Sequence, residues 1–252
     1  MLRDFSKEAF DILVQAGQSN SEGCGLGAVE QPYTPRADIL YLNNDFTVSL
    51  AQETVSGNYA VGNFALPFAA YYAEAGLPRP NRKILILRAA VGGTGFLDHR
   101  WGVHDDLFIR MMEMISAALA LNGQNRIAAF LWHQGETDAV LKADEITHAG
   151  HLTAMINTVR DTYHTPALPV VMGDFVQEWK QMNMEICAPV VTAMRKVCAA
   201  AGYARFVETD GLASNRQRMG SLVGEEETIH FCREALYQLG KRYFEAANEL
   251  WK

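Results

Sequence analysis

The chain has 252 residues, of which 49% are hydrophobic and 20% charged, a composition that excludes disordered, collagen-like and disulfide-scaffold classes. Its 22 Lys and Arg stand against 29 Asp and Glu, a formal net charge of −7, and with no local basic cluster this excludes nucleic acid and anionic membrane as partners. The four cysteines, Cys24, Cys187, Cys198 and Cys232, form no Cys-x-x-Cys pair and read as reduced thiols rather than zinc ligands or disulfides.

The stretch from Met1 to Glu8 reaches the first apolar run, Ile12-Leu13-Val14, too soon to hold a signal peptide, and no apolar stretch approaches the ~20 residues that span a bilayer. The expected location is therefore the cytoplasm. The first strand is predicted over 11–16. A long irregular loop, rich in Gly, Asn, Ser and Pro, follows over 20–60, interrupted by a short strand at 39–42 that reads as an edge piece. Beyond it, strands at 83–88, 127–132, 168–172 and 204–208 alternate with helices near 62–75, 105–122, 144–163, 185–201 and 232–249, whose apolar residues recur every three and four positions. In the second helix the stripe Phe108, Met111, Met112, Met114, Ile115 and Leu119 reads as a core-facing side, because Met is an ordinary core filler. This alternation predicts an α/β protein, a three-layer α/β/α sandwich on a five-stranded parallel sheet of order 2-1-3-4-5. No repeat or linker divides 1–252, which reads as one domain.

In such a sheet the residues just past the strands' carboxyl ends share one edge, where ligands bind. The first strand runs into Gly17-Gln18-Ser19-Asn20, which places Ser19 as a nucleophile on a turn. Position 21 is Ser, so this is not the Gly-x-Ser-x-Gly elbow. The second main strand ends in Gly92-Gly93-Thr94-Gly95. Asp98 stands where a dinucleotide fingerprint needs its third glycine, and no P-loop Lys-Ser/Thr follows, so a backbone N–H donor from Gly92 or Gly93 is the better use of the turn. The third ends in Trp132-His133-Gln134-Gly135-Glu136-Thr137-Asp138, where Gln134 offers an amide donor. Glu136 and Asp138 come from one short segment with no acid placed across a cleft, unlike the carboxylates of a glycosidase; they read as groups that orient Gln134 or pair with Arg100 or Arg88. His230 lies three residues after Glu227, a spacing that lets a carboxylate hold Nδ1–H while Nε2 faces outward as a base. The same glutamates also suit a solvated helix start. His148 and His151 read as a surface pair, not as metal ligands.

These blocks resemble those of the SGNH-hydrolase superfamily, and within it the branch of sialate O-acetylesterases and acetylxylan-esterase-like carbohydrate esterases. The resemblance rests on Gly17-Gln18-Ser19-Asn20, Gly92-Gly93-Thr94, Trp132-x-Gln134-Gly135-Glu136-x-Asp138 and Ile229-His230-Phe231, in the family's order, from residue 11 to about 245. It implies a flavodoxin-like fold and a serine esterase that removes O-acetyl groups from sugars. Ser19 would be the nucleophile and His230 the base. The oxyanion donors would be the Ser19 N–H, a glycine N–H from Gly92 or Gly93, and the Gln134 side chain. Arg100-Trp101-Gly102 is similar to a block of the sialate-specific bacterial enzymes and implies Arg100 as a carboxylate ligand, with Asn20 and Glu136 as further substrate contacts. Two positions depart from the pattern. Ser21 stands where Met is usual, and Glu227 stands where Asp is usual, so Glu227, Glu226 or a backbone carbonyl remains as the group that orients His230.

No metal or cofactor is implied, and the partner is an acetylated sugar. Two rivals stand beside the esterase: a noncatalytic carbohydrate-binding relative, suggested by the Glu227 departure, and a lipid or thioester esterase, which would need a long apolar pocket.

Overall fold

The computed structural model of the protein describes residues 4–252, so Met1, Leu2 and Arg3, part of the stretch read for a leader, lie outside the described residues. The residues of β1 (Ala9–Gly17) are all buried, as in a strand covered on both faces. After it come α1 (Ser19–Glu22), β2 (Ile39–Leu42), β3 (Val48–Leu50), β4 (Thr54–Ser56), β5 (Tyr59–Val61), α2 (Ala65–Glu74) and β6 (Arg82–Arg88). The second half runs α3 (Asp106–Ala120), β7 (Arg126–His133), α4 (Glu136–Val140), α5 (Glu145–Thr162), β8 (Val170–Gly173), α6 (Gln177–Met182), α7 (Met184–Ala200) and β9 (Ala204–Val207). It closes with α8 (Asn215–Met219), 3-10 turns at Gly220–Leu222 and Glu225–Ile229, and α9 (Arg233–Leu250).

The main sheet has seven strands in the order β3-β2-β6-β1-β7-β8-β9. Five consecutive strands, β6-β1-β7-β8-β9, are parallel and match the expected order. The five-strand expectation is corrected by two more strands: β2 adds in parallel to β6, and antiparallel β3 takes the edge. All four residues of β2 are buried, which is why Ile39–Leu42 is an interior strand and not the edge piece. The expected 20–60 loop also holds β3 and a small β4–β5 hairpin. Turn-forming residues dominate its composition, and strands this short leave no periodic signal.

Helices α2 and α9 lie together on one side of the sheet, and α3, α5 and α7 cover the other. On α3 the buried residues are Leu107, Phe108, Met111, Met114, Ile115 and Ala118, so the methionine stripe is core; burying each large side chain contributes roughly 1.5–3 kcal/mol. At the sheet's amino edge the buried Asp11 carboxylate accepts from Arg82 Nε at 2.7 Å, Arg126 Nε at 2.7 Å and Tyr72 Oη at 2.8 Å, which aligns β1, β6 and β7. The opposite edge is then left for the polar cluster. Among the described residues no helix is long and apolar enough to cross a membrane.

Gly17 makes that edge possible. Its φ of +126° is open to glycine, and a Cβ here would stand 2.1 Å from the His133 carbonyl oxygen on β7. Gly17→Ala is therefore expected to cost more than about 2 kcal/mol, above the usual effect of a surface substitution, as read from urea unfolding midpoints.

Candidate active site

Past Gly17 the chain is fastened to β7: Gln18 N–H donates to the His133 carbonyl at 3.0 Å, and Gln18 Oε1 accepts from Thr137 N–H at 3.1 Å. This fixes Ser19 at the first residue of α1, partly exposed. Its Oγ is 3.1 Å from His230 Nε2, and His230 Nδ1 is 3.1 Å from Glu227 Oε2. His230 and Glu227 side chains each keep 23% of their surface exposed, enough for a substrate to reach them. Residues 225–229 form a 3-10 turn, in which positions three apart eclipse. That is why the acid three residues ahead reaches the imidazole. Asn215 Nδ2 donates to the same Glu227 oxygen at 2.7 Å and fixes the carboxylate. Glu226 is exposed and takes no part.

Asn20, expected as a substrate contact, has no exposed surface. Its Nδ2 donates to Glu136 Oε1 at 2.8 Å and to the Ile229 carbonyl at 3.0 Å, and its Oδ1 accepts from Phe231 N–H at 3.0 Å. It brackets His230 instead of touching a ligand. The Glu136 expectation is corrected for the same reason, since that side chain is also fully buried and pairs with neither Arg100 nor Arg88. Burial pushes Glu136 up to about 7, and its Oε2 has no partner. Beside it, burial pulls His133 down to about 3. Tyr243 Oη donates to the Trp132 carbonyl at 3.0 Å and lies 2.8 Å from His133 Nδ1, so Nδ1 carries the imidazole's one proton.

Gly92 lies against the serine: a Cβ there would stand 3.6 Å from Ser19 Cβ and 3.2 Å from Glu22 Oε2. Its N–H donates to that Glu22 oxygen at 2.8 Å. The N–H groups of Ser19 and Gly93 have no partner among the described residues. Gln134, expected as a third oxyanion donor, is fully buried. Its Nε2 donates to Asp138 Oδ2 at 2.8 Å, with Thr94 O at 3.3 Å and Gln18 Oε1 at 3.4 Å, so neither proton is free for a substrate. Asp138 also accepts from Phe96 N–H at 3.0 Å and Leu97 N–H at 2.8 Å. It therefore orients Gln134, as expected, and ties the glycine turn to α4.

His148 is buried 3.5 Å from Asp138, a correction to the expected surface pair, and burial draws it down to about 4; its neighbour His151 stacks on Phe96 at 5.1 Å. Arg100, the expected carboxylate ligand, is held bidentately by Asp106 at 2.8 and 3.0 Å on the surface. Sequence reasoning missed Asn215 and Glu22. The Ser214 to Gln217 capping box marks a helix start beside Asn215, but nothing in the sequence points it at Glu227.

A hydroxyl, an imidazole and a carboxylate in hydrogen-bonded series are the groups that activate a serine for attack on an ester. The family described as carbohydrate esterase, sialic acid-specific acetylesterase, matches residues 9–249. The chain belongs to this family. A probable 9-O-acetyl-N-acetylneuraminic acid deacetylase of Escherichia coli is 31% identical over 90 residues, 32% of this chain and 27% of that protein. A probable carbohydrate esterase of Arabidopsis thaliana is 25% identical over 179 residues, 64% of this chain and 66% of that one. The chain thus spans about a quarter of the first of these relatives and just under two thirds of the second. In structure it is similar to NanS, with a TM-score of 0.80 at 21% identity over 98% of both chains. It is also similar to a carbohydrate acetylesterase from Xanthomonas citri, with a TM-score of 0.60 at 14% identity over 95% of this chain and 56% of that one. These structures share the family's fold.

The buried Glu136 makes stability pH-dependent. The unfolded chain releases this proton near 4.5 and the folded one near 7. The folded state thus binds the extra proton in between, and stability falls as pH rises through that interval, by about 3 kcal/mol in total. Glu136→Gln keeps an acceptor for Asn20. The buried His133 and His148 gain stability over part of the same range, so the readout is the difference between the two proteins: from pH 4.5 to pH 8 the wild type is expected to lose about 3 kcal/mol relative to Glu136→Gln in urea unfolding.

Proposed function

We propose that the protein is a serine esterase that removes O-acetyl groups from sugars through an acyl-enzyme. The observation that carries the reading is the series Ser19 Oγ, His230 Nε2 and Nδ1, and Glu227 Oε2, with 3.1 Å at each link, at the carboxyl edge of the central strands. His230 takes the Ser19 proton as Oγ attacks the acetyl carbonyl. The C–O bond to the sugar then breaks, and His230 returns the proton to the departing sugar hydroxyl. A water activated by the same imidazole releases acetate and restores Ser19. Glu227 holds the Nδ1–H and balances the imidazolium that forms.

The oxyanion is assigned to the Ser19 N–H and to the glycine turn, through Gly92 or Gly93. That a carboxylate oxygen of Glu22 rests on the Gly92 N–H supports the turn as a place for a negative oxygen. Glu22 then has to withdraw when the acyl group enters. Gln134 serves as a brace for the turn through Asp138. The family's description and the bacterial relative's name make an O-acetylated sialic acid the first substrate to try. Four unpaired cysteines, three of them buried, fit a reducing compartment such as the cytoplasm.

Hydrolysis of p-nitrophenyl acetate, butyrate and octanoate tests the reading. Acetate turnover that falls at least about a thousandfold in Ser19→Ala and about a hundredfold in Glu227→Gln is the expected result. Absent turnover with Ser19 intact would favour a carbohydrate binder, and octanoate preference a lipid esterase.

A further inference from the structure

Beside the glycine turn lies a cavity of about 310 Å³ whose lining includes Gln15, Glu22, Asn43, Arg88 and Ala90. Gln15 and Arg88 face each other in the parallel register of β1 and β6, at the ends of the two strands that deliver Ser19 and Gly92. Glu22 joins the cavity to the nucleophile, because it is one turn beyond Ser19 and its carboxylate reaches the Gly92 N–H.

The polar groups of this cavity do not balance. Arg88 is half-buried, with its guanidinium over the Tyr41 ring at 5.0 Å from the centroid. Among the described residues it has no hydrogen bond and no carboxylate within ion-pairing reach. Its acidic neighbours are engaged elsewhere, Glu22 by the Gly92 N–H and Asp45 by the Thr47 N–H and hydroxyl. Gln15 is 1% exposed; its Nε2 donates to the Ser21 carbonyl, while its Oε1 is a buried acceptor without a donor. A half-buried guanidinium that lines a cavity and lacks an acceptor is completed by a ligand that brings a carboxylate. Planar, bidentate recognition of a carboxylate is what the guanidinium does best. The volume lies at the lower end for ligand sites, roughly 300–1,000 Å³, and suits one sugar residue rather than a polymer.

We propose that this cavity is the subsite for the carboxylate of an acidic monosaccharide, with Arg88 as the residue that selects it. The proposal rests on the reading of the protein as a sugar O-acetylesterase, and it gives to Arg88 the part expected of Arg100, whose guanidinium is committed to Asp106.

Calorimetric titration of the protein with N-acetylneuraminate and with its methyl ester tests the assignment without turnover. The acid is expected to bind at least about tenfold more tightly than the ester, the range of a hydrogen-bonded charge. Arg88→Gln is expected to erase that preference, and Arg100→Gln to keep it. Arg88→Lys keeps the charge but not the bidentate fork, and is expected to give an intermediate preference should the Gln variant fail to fold. Failure of the wild type to bind the acid, equal binding of acid and ester, or an undiminished preference in the Arg88 variants would overturn the proposal. Binding of the acid through Arg88 with no cleavage of any acetyl ester would overturn the esterase reading alone. Equal kcat/KM on an O-acetylated sialate and its methyl ester would overturn the Arg88 assignment alone.

Discussion

Asn20 directly follows Ser19, and its side chain holds the main chain on both sides of His230, through the Ile229 carbonyl and the Phe231 N–H. The distance from serine to imidazole is thereby set through backbone, with little left to side-chain rotamers. The amide is fully buried, so each of these bonds, though worth only about 1 kcal/mol net, would leave an unsatisfied group costing about 1–3 kcal/mol if broken. Neighbouring bonds extend the frame. Gln18 fastens the serine turn to β7 through its N–H and to α4 through its side chain, and Asp138 fastens the glycine turn to Gln134 and α4. Four chain segments from across the sequence meet at one edge because buried polar side chains close the gaps between them.

Burial in the same frame disfavours charge on three titratable groups behind the serine. Glu136 holds its proton up to about 7, while His133 and His148 lose theirs far below neutrality. All three shifts have burial as their first cause. Near neutral pH the two imidazoles carry no charge, and the part-exposed carboxylate of Glu227 is the one that meets His230.

Much of this was legible in the sequence. Strands with continuous apolar runs and helices with a clean period of three and four fell close to their observed bounds, since both signals come from burial on the sheet. Ser19, His230 and the glycine turn were legible because strand ends in an open α/β sheet converge by topology. Three kinds of feature were not. Interior β2 and edge β3 lie within residues whose composition suits loops, and the neighbours that settle their place are far away in the chain. Asn20, Glu136 and Gln134 were read as facing a ligand because polar residues in a motif suggest function, whereas the structure turns them inward as struts. The acid beside His230 depended on a 3-10 turn that brings Glu227, and not Glu226, under the ring, a local geometry that three consecutive glutamates do not reveal.

The separation of the reacting pair has a consequence for biosynthesis. Ser19 and His230 are 211 residues apart, and His230 is held in place by a segment that leads straight into α9, whose buried face of Leu236, Leu239 and Tyr243 seats beside α2. Contacts this far apart in the chain form late, after much of the loop between them is organised. All strands of the sheet precede His230 in the chain, so on the ribosome the sheet can assemble before the segment around His230 has emerged. A nascent chain therefore displays its serine before the imidazole opposite it is in place, and the two meet when the segment that carries His230 folds onto the sheet.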